Sequence, residues 1–185
     1  MLLEAFAHAE SVSRELDLII AGEGEEQNAL TERALQLGLG QRVHFLGRAT
    51  PENVVRLLNG AAFVVVPSRS ESFGIAALEA ITAGKPVLAT KTGGLAKFLT
   101  ELIEDNDQSV KDKQPLSERQ KSSLDRGPVI KLVGPNAEEL ANGLRHMFEL
   151  PHNNSTEISN YQISDKYSWE QVARFYESVL AGRFN

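Results

Sequence analysis

Two glutamates, Glu71 and Glu79, are separated by seven residues in the run Glu71-Ser72-Phe73-Gly74-Ile75-Ala76-Ala77-Leu78-Glu79. The stretch between them reads as a helix start. Ser72 is a natural N-cap, which makes Phe73, Gly74 and Ile75 the first helical residues. Amides in a first helical turn have no partner within the helix, and they point outward with the positive end of its dipole. That arrangement suits an anion, phosphate above all. Gly74 has no Cβ, so a ligand can come close to the backbone there. Glu71 stands at the mouth of such a site, and Glu79 lies about two turns further along. Carboxylates only accept hydrogen bonds, so the paired hydroxyls of a ribose or hexose suit them. A phosphate site flanked by two diol acceptors describes a sugar nucleotide. The competing reading is ordinary surface charge, the default for a glutamate. Against it, Glu79 sits among Ala76, Ala77, Leu78, Ala80 and Ile81. A helix this apolar is expected to be buried, and a buried carboxylate needs a reason.

The surrounding elements place this run at the end of a strand. Phe63-Val64-Val65-Val66 reads as a buried strand ahead of it, and Ala83-Gly84-Lys85-Pro86 as helix stop and turn behind it. Val87–Ala89 is the next strand. Strand, loop, helix, strand is a βαβ unit, and open α/β sheets bind ligands at the carboxyl ends of their strands. The pattern repeats along the chain. Residues 2–16 have a helical pattern, Leu18–Ala21 is a short strand, and Glu26–Leu37 is a helix ended by Gly38. Val43–Leu46 is a strand, and Pro51–Leu58 a helix with Thr50 as N-cap. Val129–Val133 is a strand and Ala137–Phe148 a helix. Trp169, Val172, Ala173, Tyr176, Val179 and Leu180 form the apolar stripe of a last helix. Alternating strands and helices predict an α/β fold with a Rossmann-like, doubly wound parallel sheet, one domain over residues 1–185. A charged, flexible insertion with some helix is expected at about 101–127, where twelve of 27 residues are charged.

The Glu71–Glu79 run resembles the E-x7-E motif of the retaining glycosyltransferases of family 4 (group 1), which have the GT-B fold. Four further blocks resemble the same family, in the same order. They are the strand and Gly-x-Gly turn Leu18–Gly24, the strand Arg42–Gly47, the Thr92-Gly93-Gly94 pair, and the Tyr167-Ser168-Trp169-Glu170 segment with the helix after it. The resemblance implies the donor-binding, C-terminal half of a GT-B enzyme. In it Glu71 contacts the donor sugar in the catalytic site, Glu79 binds the ribose, and the amides of Phe73, Gly74 and Ile75, next to Ser72, hold the diphosphate. It puts Gly47 and Arg48 near the base, and Gly22 and Gly24 near the cleft, although Gly-x-Gly also serves as a plain turn. Gly93 and Gly94 belong to the donor-site loops, where the family's following glutamate is replaced near Lys97. The implied donor is an NDP-sugar, UDP-glucose or another UDP-sugar by family frequency, with no cofactor and no metal required. The implied reaction is retaining hexosyl transfer, as in polysaccharide biosynthesis.

The resemblance also implies a gap. Doubly wound sheets run 3-2-1-4-5-6, with strand 1 in the middle. Here Leu18–Ala21 corresponds to strand 2 and Phe63–Val66 to strand 4, so the first strand and the family's Gly-Arg and Lys-Gly elements have no counterpart. A central gap leaves backbone groups unpaired. Either the flanking strands close up, or another chain fills the gap, or the domain is weakly stable. The acceptor domain has no counterpart either. The isolated chain is therefore expected to be inactive, and two alternatives to an enzyme donor domain stand beside the first reading. One is a split-enzyme subunit working with a separate acceptor-domain chain. The other is a non-catalytic sugar-nucleotide-binding relic.

Composition excludes other classes. The 185 residues carry a net charge of −6 without a basic cluster, which argues against nucleic acid as a partner. There is no cysteine, hence no disulfide or thiolate metal site. No apolar run reaches the roughly 18 residues of a transmembrane helix, and Met1–Phe6 lacks the basic region of a signal peptide. A cytoplasmic location is expected, with peripheral membrane association of a full enzyme left open. Asp105-Asn106-Asp107 matches the D-x-D metal pattern of the other major glycosyltransferase fold, but it falls in the charged insertion, where a solvated charge run is the expected reading. His8, His44, His146 and His152 show no metal-ligand spacing.

Overall fold

A computed structural model describes residues 1–9, 16–111 and 129–150, with only the helical backbone given for 105–111. The last helix expected around Trp169 and Tyr176 lies outside the described residues, as do 10–15 and 112–128. The elements run α1 (Leu2–Ala9), β1 (Leu18–Ala21), α2 (Gln27–Gln36), β2 (Val43–Gly47), α3 (Pro51–Gly60), β3 (Val64–Val66), α4 (Ile75–Thr82), β4 (Val87–Thr90), α5 (Gly93–Lys111), β5 (Ile130–Val133) and α6 (Ala137–Phe148). Thr50 caps α3, with its hydroxyl accepting from Asn53 N at 3.4 Å and Pro51 at the first position. Helix α5 continues through Lys111, so the first eleven residues of the expected insertion are helical.

All described strand pairs are parallel, as the alternation of strands and helices requires. They form two sheets, though. β1 pairs β2 from Leu18↔Val43 to Ala21↔Gly47, and β3, β4 and β5 pair in that order. These are the 3-2 and 4-5-6 portions of a doubly wound sheet. The flanking strands have not closed up, because β1 and β3 do not pair.

Burial follows the split. β4 has neighbours on both sides, and Val87, Leu88, Ala89 and Thr90 are all buried, as a strand covered on both faces should be. β1 alternates half-buried and exposed, and Ile19 is 50% exposed. Leu46 on β2 is 51% exposed, on the same face of that sheet. Helix α3 carries Val54, Val55, Leu57 and Leu58 yet buries no residue. The other face of β1–β2 is covered. Leu18, Ile20 and Phe45 join a cluster built on Leu3, Phe6, Ala34, Leu140, Leu144 and Met147, from α1, α2 and α6. Phe63 and Val65 pack on the same cluster, so it ties the two sheets together. Phe148 is an aromatic bridge, with its ring 6.4 Å from Phe6 on α1 and 5.8 Å from Phe63 just before β3. Arg145 adds a bond from α6 to the His8 carbonyl at 2.9 Å. A second cluster lies under α4 and α5, around Phe73, Leu78, Ile81, Leu95, Phe98 and Leu99.

Helix α6 begins on a side-chain network. Asn136 Oδ1 accepts from Glu139 N at 2.9 Å, and Glu139 returns its carboxylate to Gly134 N at 2.6 Å and Asn136 Nδ2 at 2.9 Å. Those bonds, the Gly134 one foremost, hold the Glu139 carboxyl below its usual 4.5.

Two outcomes follow from this packing. Phe148→Ala removes the bridge between the sheets and should cost about 3–5 kcal/mol in a urea titration; a loss below about 1 kcal/mol would show that the two halves are held elsewhere. The lowered pKa of Glu139 means that its contribution is fully present above the unfolded value and is lost as the pH falls through the lower folded one. Glu139→Gln should therefore flatten the loss of stability below pH 4.5, and identical acid limbs in the two proteins would remove Glu139 from that response.

Candidate functional site

Because the strands within each sheet are parallel, the loops after β1 and β2 share one edge, and so do those after β3 and β4. At the first edge, Gly22 N donates to the Gly47 carbonyl at 2.7 Å. Both glycines have positive φ, +146° and +64°. Nothing lies within 4 Å of the Cβ position at Gly22, Gly24 or Gly47. Here glycine makes the turn, and the space beside it is open. Arg48 reaches back to Glu23 at 3.5 Å, with both side chains largely in solvent.

The second edge is built more tightly. The chain leaves β3 through Pro67, Ser68, Arg69 and Ser70 and turns at Glu71. The half-buried Glu71 carboxylate accepts from Ser68 Oγ at 3.3 Å and from Phe73 N at 3.4 Å. Its carbonyl accepts from Gly94 N at 3.0 Å. Gly93 and Gly94 lie directly beneath this turn. A Cβ on Gly93 would fall 2.3 Å from the Glu71 carbonyl oxygen, and one on Gly94 1.8 Å from that of Ser72. The glycine pair therefore serves by admitting the Glu71–Ser72 backbone, whether or not it also touches a ligand. Below the turn, Thr90 Oγ1 donates to the Ser68 carbonyl at 2.6 Å, and Thr92 Oγ1 lies 3.3 Å from the same oxygen.

The helix start differs from the expectation. Ser72 is exposed and does not cap it; the N-cap is Gly74 at φ +86°, and Ile75 is the first helical residue. Phe73 is 3% exposed, and its ring lies 4.9 Å from that of Phe98. Sinking that ring while the chain turns over Gly93 and Gly94 requires a left-handed residue before the helix, and glycine adopts it without strain. Gly74 also faces the protein instead of lying open to a ligand: a Cβ there would meet Leu95 Cδ1 at 2.4 Å. The amide donors shift accordingly. Phe73 N is engaged by Glu71, while Ala77 N and Leu78 N bond back to the Gly74 carbonyl. Ile75 and Ala76 supply the outward N–H groups of the first turn.

Glu79 is exposed, not buried as its apolar neighbours suggested. α4 buries Ala77, Leu78, Ala80 and Ile81 and turns Ile75, Ala76 and Glu79 outward. Alanine on the outer face hid the amphipathic period from a reading by composition. The outward placement puts Glu79 on the same exposed stripe as Ile75, one turn on, where a ligand seated at the helix start can meet it.

The structure thus gathers the expected residues into two groups. Gly22, Gly24, Gly47 and Arg48 lie at the edge of one sheet. Glu71, Ser72, Phe73, Gly74, Ile75, Gly93 and Gly94 lie at the edge of the other, with Glu79 beyond them. Ser68 and Thr90 were missed, and Thr92 was read only as part of the glycine-pair block. Their signal was a pair of hydroxyl residues ending an otherwise apolar strand beside a glycine pair. No helix among the described residues is long and apolar enough to cross a membrane.

Comparison with known proteins bears on the family and the fold. Residues 1–119 match the family model described as glycosyl transferases group 1. An uncharacterized glycosyltransferase of Methanocaldococcus jannaschii is 42% identical over 82 residues, 44% of this chain and 21% of that protein. A D-inositol 3-phosphate glycosyltransferase of Nocardia farcinica is 47% identical over 72 residues, 39% of this chain and 16% of that one. Among solved structures, WaaG, a glycosyltransferase involved in lipopolysaccharide biosynthesis, superposes with a TM-score of 0.63 at 24% identity, over 92% of this chain and 40% of its own. Anabaena HepE, solved in complex with UDP, superposes with a TM-score of 0.60 at 25% identity, over 96% of this chain and 44% of its own. The chain therefore spans less than half the length of each of these relatives. Sequence and fold converge: the chain belongs to the glycosyl transferases group 1 family and has the parallel α/β architecture of half a GT-B glycosyltransferase.

Proposed function

We propose that the chain is the donor-binding domain of a retaining hexosyltransferase and holds an NDP-sugar at the carboxyl edge of β3 and β4. The observation that carries this reading is the placement of Glu71, half-buried, and Glu79, exposed, on either side of the α4 start. The diphosphate lies at the first turn of α4, opposite the outward amides of Ile75 and Ala76, where the helix dipole favours negative charge. Glu71, preset by Ser68 and Phe73, accepts from sugar hydroxyls, and Glu79 accepts from the ribose diol. Gly47 and Arg48 stand near the base, and Gly22 and Gly24 line the cleft. During transfer, fixed amides stabilise the charge that develops on the leaving diphosphate, an electrostatic role that needs no metal. A UDP-sugar, UDP-glucose foremost, is the proposed donor; the UDP held by Anabaena HepE supports it. The acceptor site belongs to another domain of the full enzyme, which we place in the cytoplasm.

A second reading, a donor-binding subunit that works with a separate chain, is favoured by one observation. Among the described residues the sheet is split between β1 and β3, and Ile19 on β1, the strand at the split, is half exposed.

Calorimetric titration with UDP, GDP, ADP and their glucose conjugates, with and without magnesium, tests the proposal. Saturable binding of one nucleotide without metal is expected, and a folded chain that binds none of them would sink it. Glu79→Gln should weaken UDP and UDP-glucose alike, by about tenfold, since an amide is a poorer partner for a diol than a carboxylate; unchanged affinity would remove the ribose role. Glu71→Gln should weaken UDP-glucose by a similar factor and leave UDP untouched, so equal losses for the two ligands would contradict the sugar contact.

A further inference from the structure

Thr90 and Thr92 are the buried polar residues among the described part of the chain, and Thr90 is wholly inaccessible. Its neighbours on β4 are Val87, Leu88 and Ala89, so a valine would fill the same space without the cost of desolvating a hydroxyl. The hydroxyl is placed where it has work that a methyl group cannot do. The β3–β4 ladder runs from Val64↔Val87 to Val66↔Ala89 and stops one residue short of Thr90. Beyond that point the chain after β3 has no strand partner, and the Thr90 hydroxyl takes over. It donates to the Ser68 carbonyl at 2.6 Å and lies 3.3 Å from the Val66 carbonyl. Ser68 then presents its own hydroxyl to Glu71 Oε2 at 3.3 Å. The bonds to the Glu71 carboxylate from Ser68 Oγ and Phe73 N are both long, so its pose depends on where the loop backbone is held.

We propose that Thr90 is a positioning residue whose buried hydroxyl, acting through Ser68, sets the pose of the Glu71 carboxylate and so determines how well the site distinguishes a sugar nucleotide from the bare nucleoside diphosphate. Thr92 supports the same carbonyl from the side at 3.3 Å. The effect on discrimination rests on the reading of Glu71 as the sugar contact; the effect on the loop does not. Thr90 touches no ligand in this scheme. It extends the rigidity of a fully buried strand into the loop that carries the sugar-facing group.

The test uses the full chain and two variants. Thr90→Val keeps the shape and removes the donor, whereas Thr90→Ser keeps the donor. Amide hydrogen exchange is read at Phe73 and Gly94, whose N–H groups bond the Glu71 carboxylate and carbonyl, and affinities are measured for UDP-glucose and UDP. Thr90→Val should speed exchange at both amides and lower UDP-glucose affinity, each by about fivefold, the scale of one net hydrogen bond. Exchange at Leu88 and Ala89 and affinity for UDP should stay as they are, and Thr90→Ser should restore both readouts. Unchanged exchange at Phe73 and Gly94 in Thr90→Val overturns the proposal. Equal loss of both ligands that Thr90→Ser does not restore also overturns it, showing a merely structural residue. If Glu71→Gln itself leaves UDP-glucose binding intact, the sugar-contact reading falls, and the two amides still decide whether Thr90 holds the loop.

Discussion

A strand buried on both faces and paired along both edges can hardly move without breaking several contacts at once, and β4 is such a strand. It pairs β3 on one side and β5 on the other, and no residue of it reaches solvent. The site is assembled outward from its carboxyl end. Thr90 reaches across to the loop after β3, Thr92 supports it, and Gly93 and Gly94 let the Glu71–Ser72 backbone pass directly above. The bond from Thr90 to the Ser68 carbonyl is short, at 2.6 Å, and the next one outward, from the Ser68 hydroxyl to the Glu71 carboxylate, is longer, at 3.3 Å. Such a gradient suits a binding loop: a fixed frame carries a side chain that a ligand can still adjust.

Much of this was legible in the chain itself. Strand–helix alternation, the Thr50 cap and the helix from Ala137 to Phe148 are local signals, written in period and capping residues, and the structure has them where the sequence puts them. The position of the Glu71 run at a strand's carboxyl end follows from topology, which alternation alone determines. The details of the site were less readable because they come from packing between distant segments. Gly74 looks like an opening for a ligand until Leu95 is placed against it. Ser72 looks like a cap until Phe73 is drawn inward toward Phe98. Glu79 looks buried because alanine appears on both faces of α4, so its composition conceals the outward stripe.

The two pairs of loops differ in kind. Those after β1 and β2 are joined by one backbone bond and one exposed ion pair, with open space at their glycines. Those after β3 and β4 are interlocked through backbone, hydroxyls and closely fitted glycines. An exposed ion pair such as Arg48–Glu23 contributes little to stability, so Arg48 can leave Glu23 for a ligand at small cost. Rigidity lies on the proposed sugar and phosphate side, and adaptability on the proposed base side.

Among the described residues, dividing five strands between two sheets leaves four strand edges unpaired where a single sheet would leave two. Each such edge offers backbone donors and acceptors to any strand that arrives, including one from a second copy of the chain. On the open face of the β1–β2 sheet, Ile19 and Leu46 add apolar surface. A net charge of −6 gives copies of the chain a mutual repulsion that opposes such pairing. Salt screens that repulsion and leaves the edges as they are, so the colloidal stability of this chain is a property of its ionic surroundings as much as of its fold.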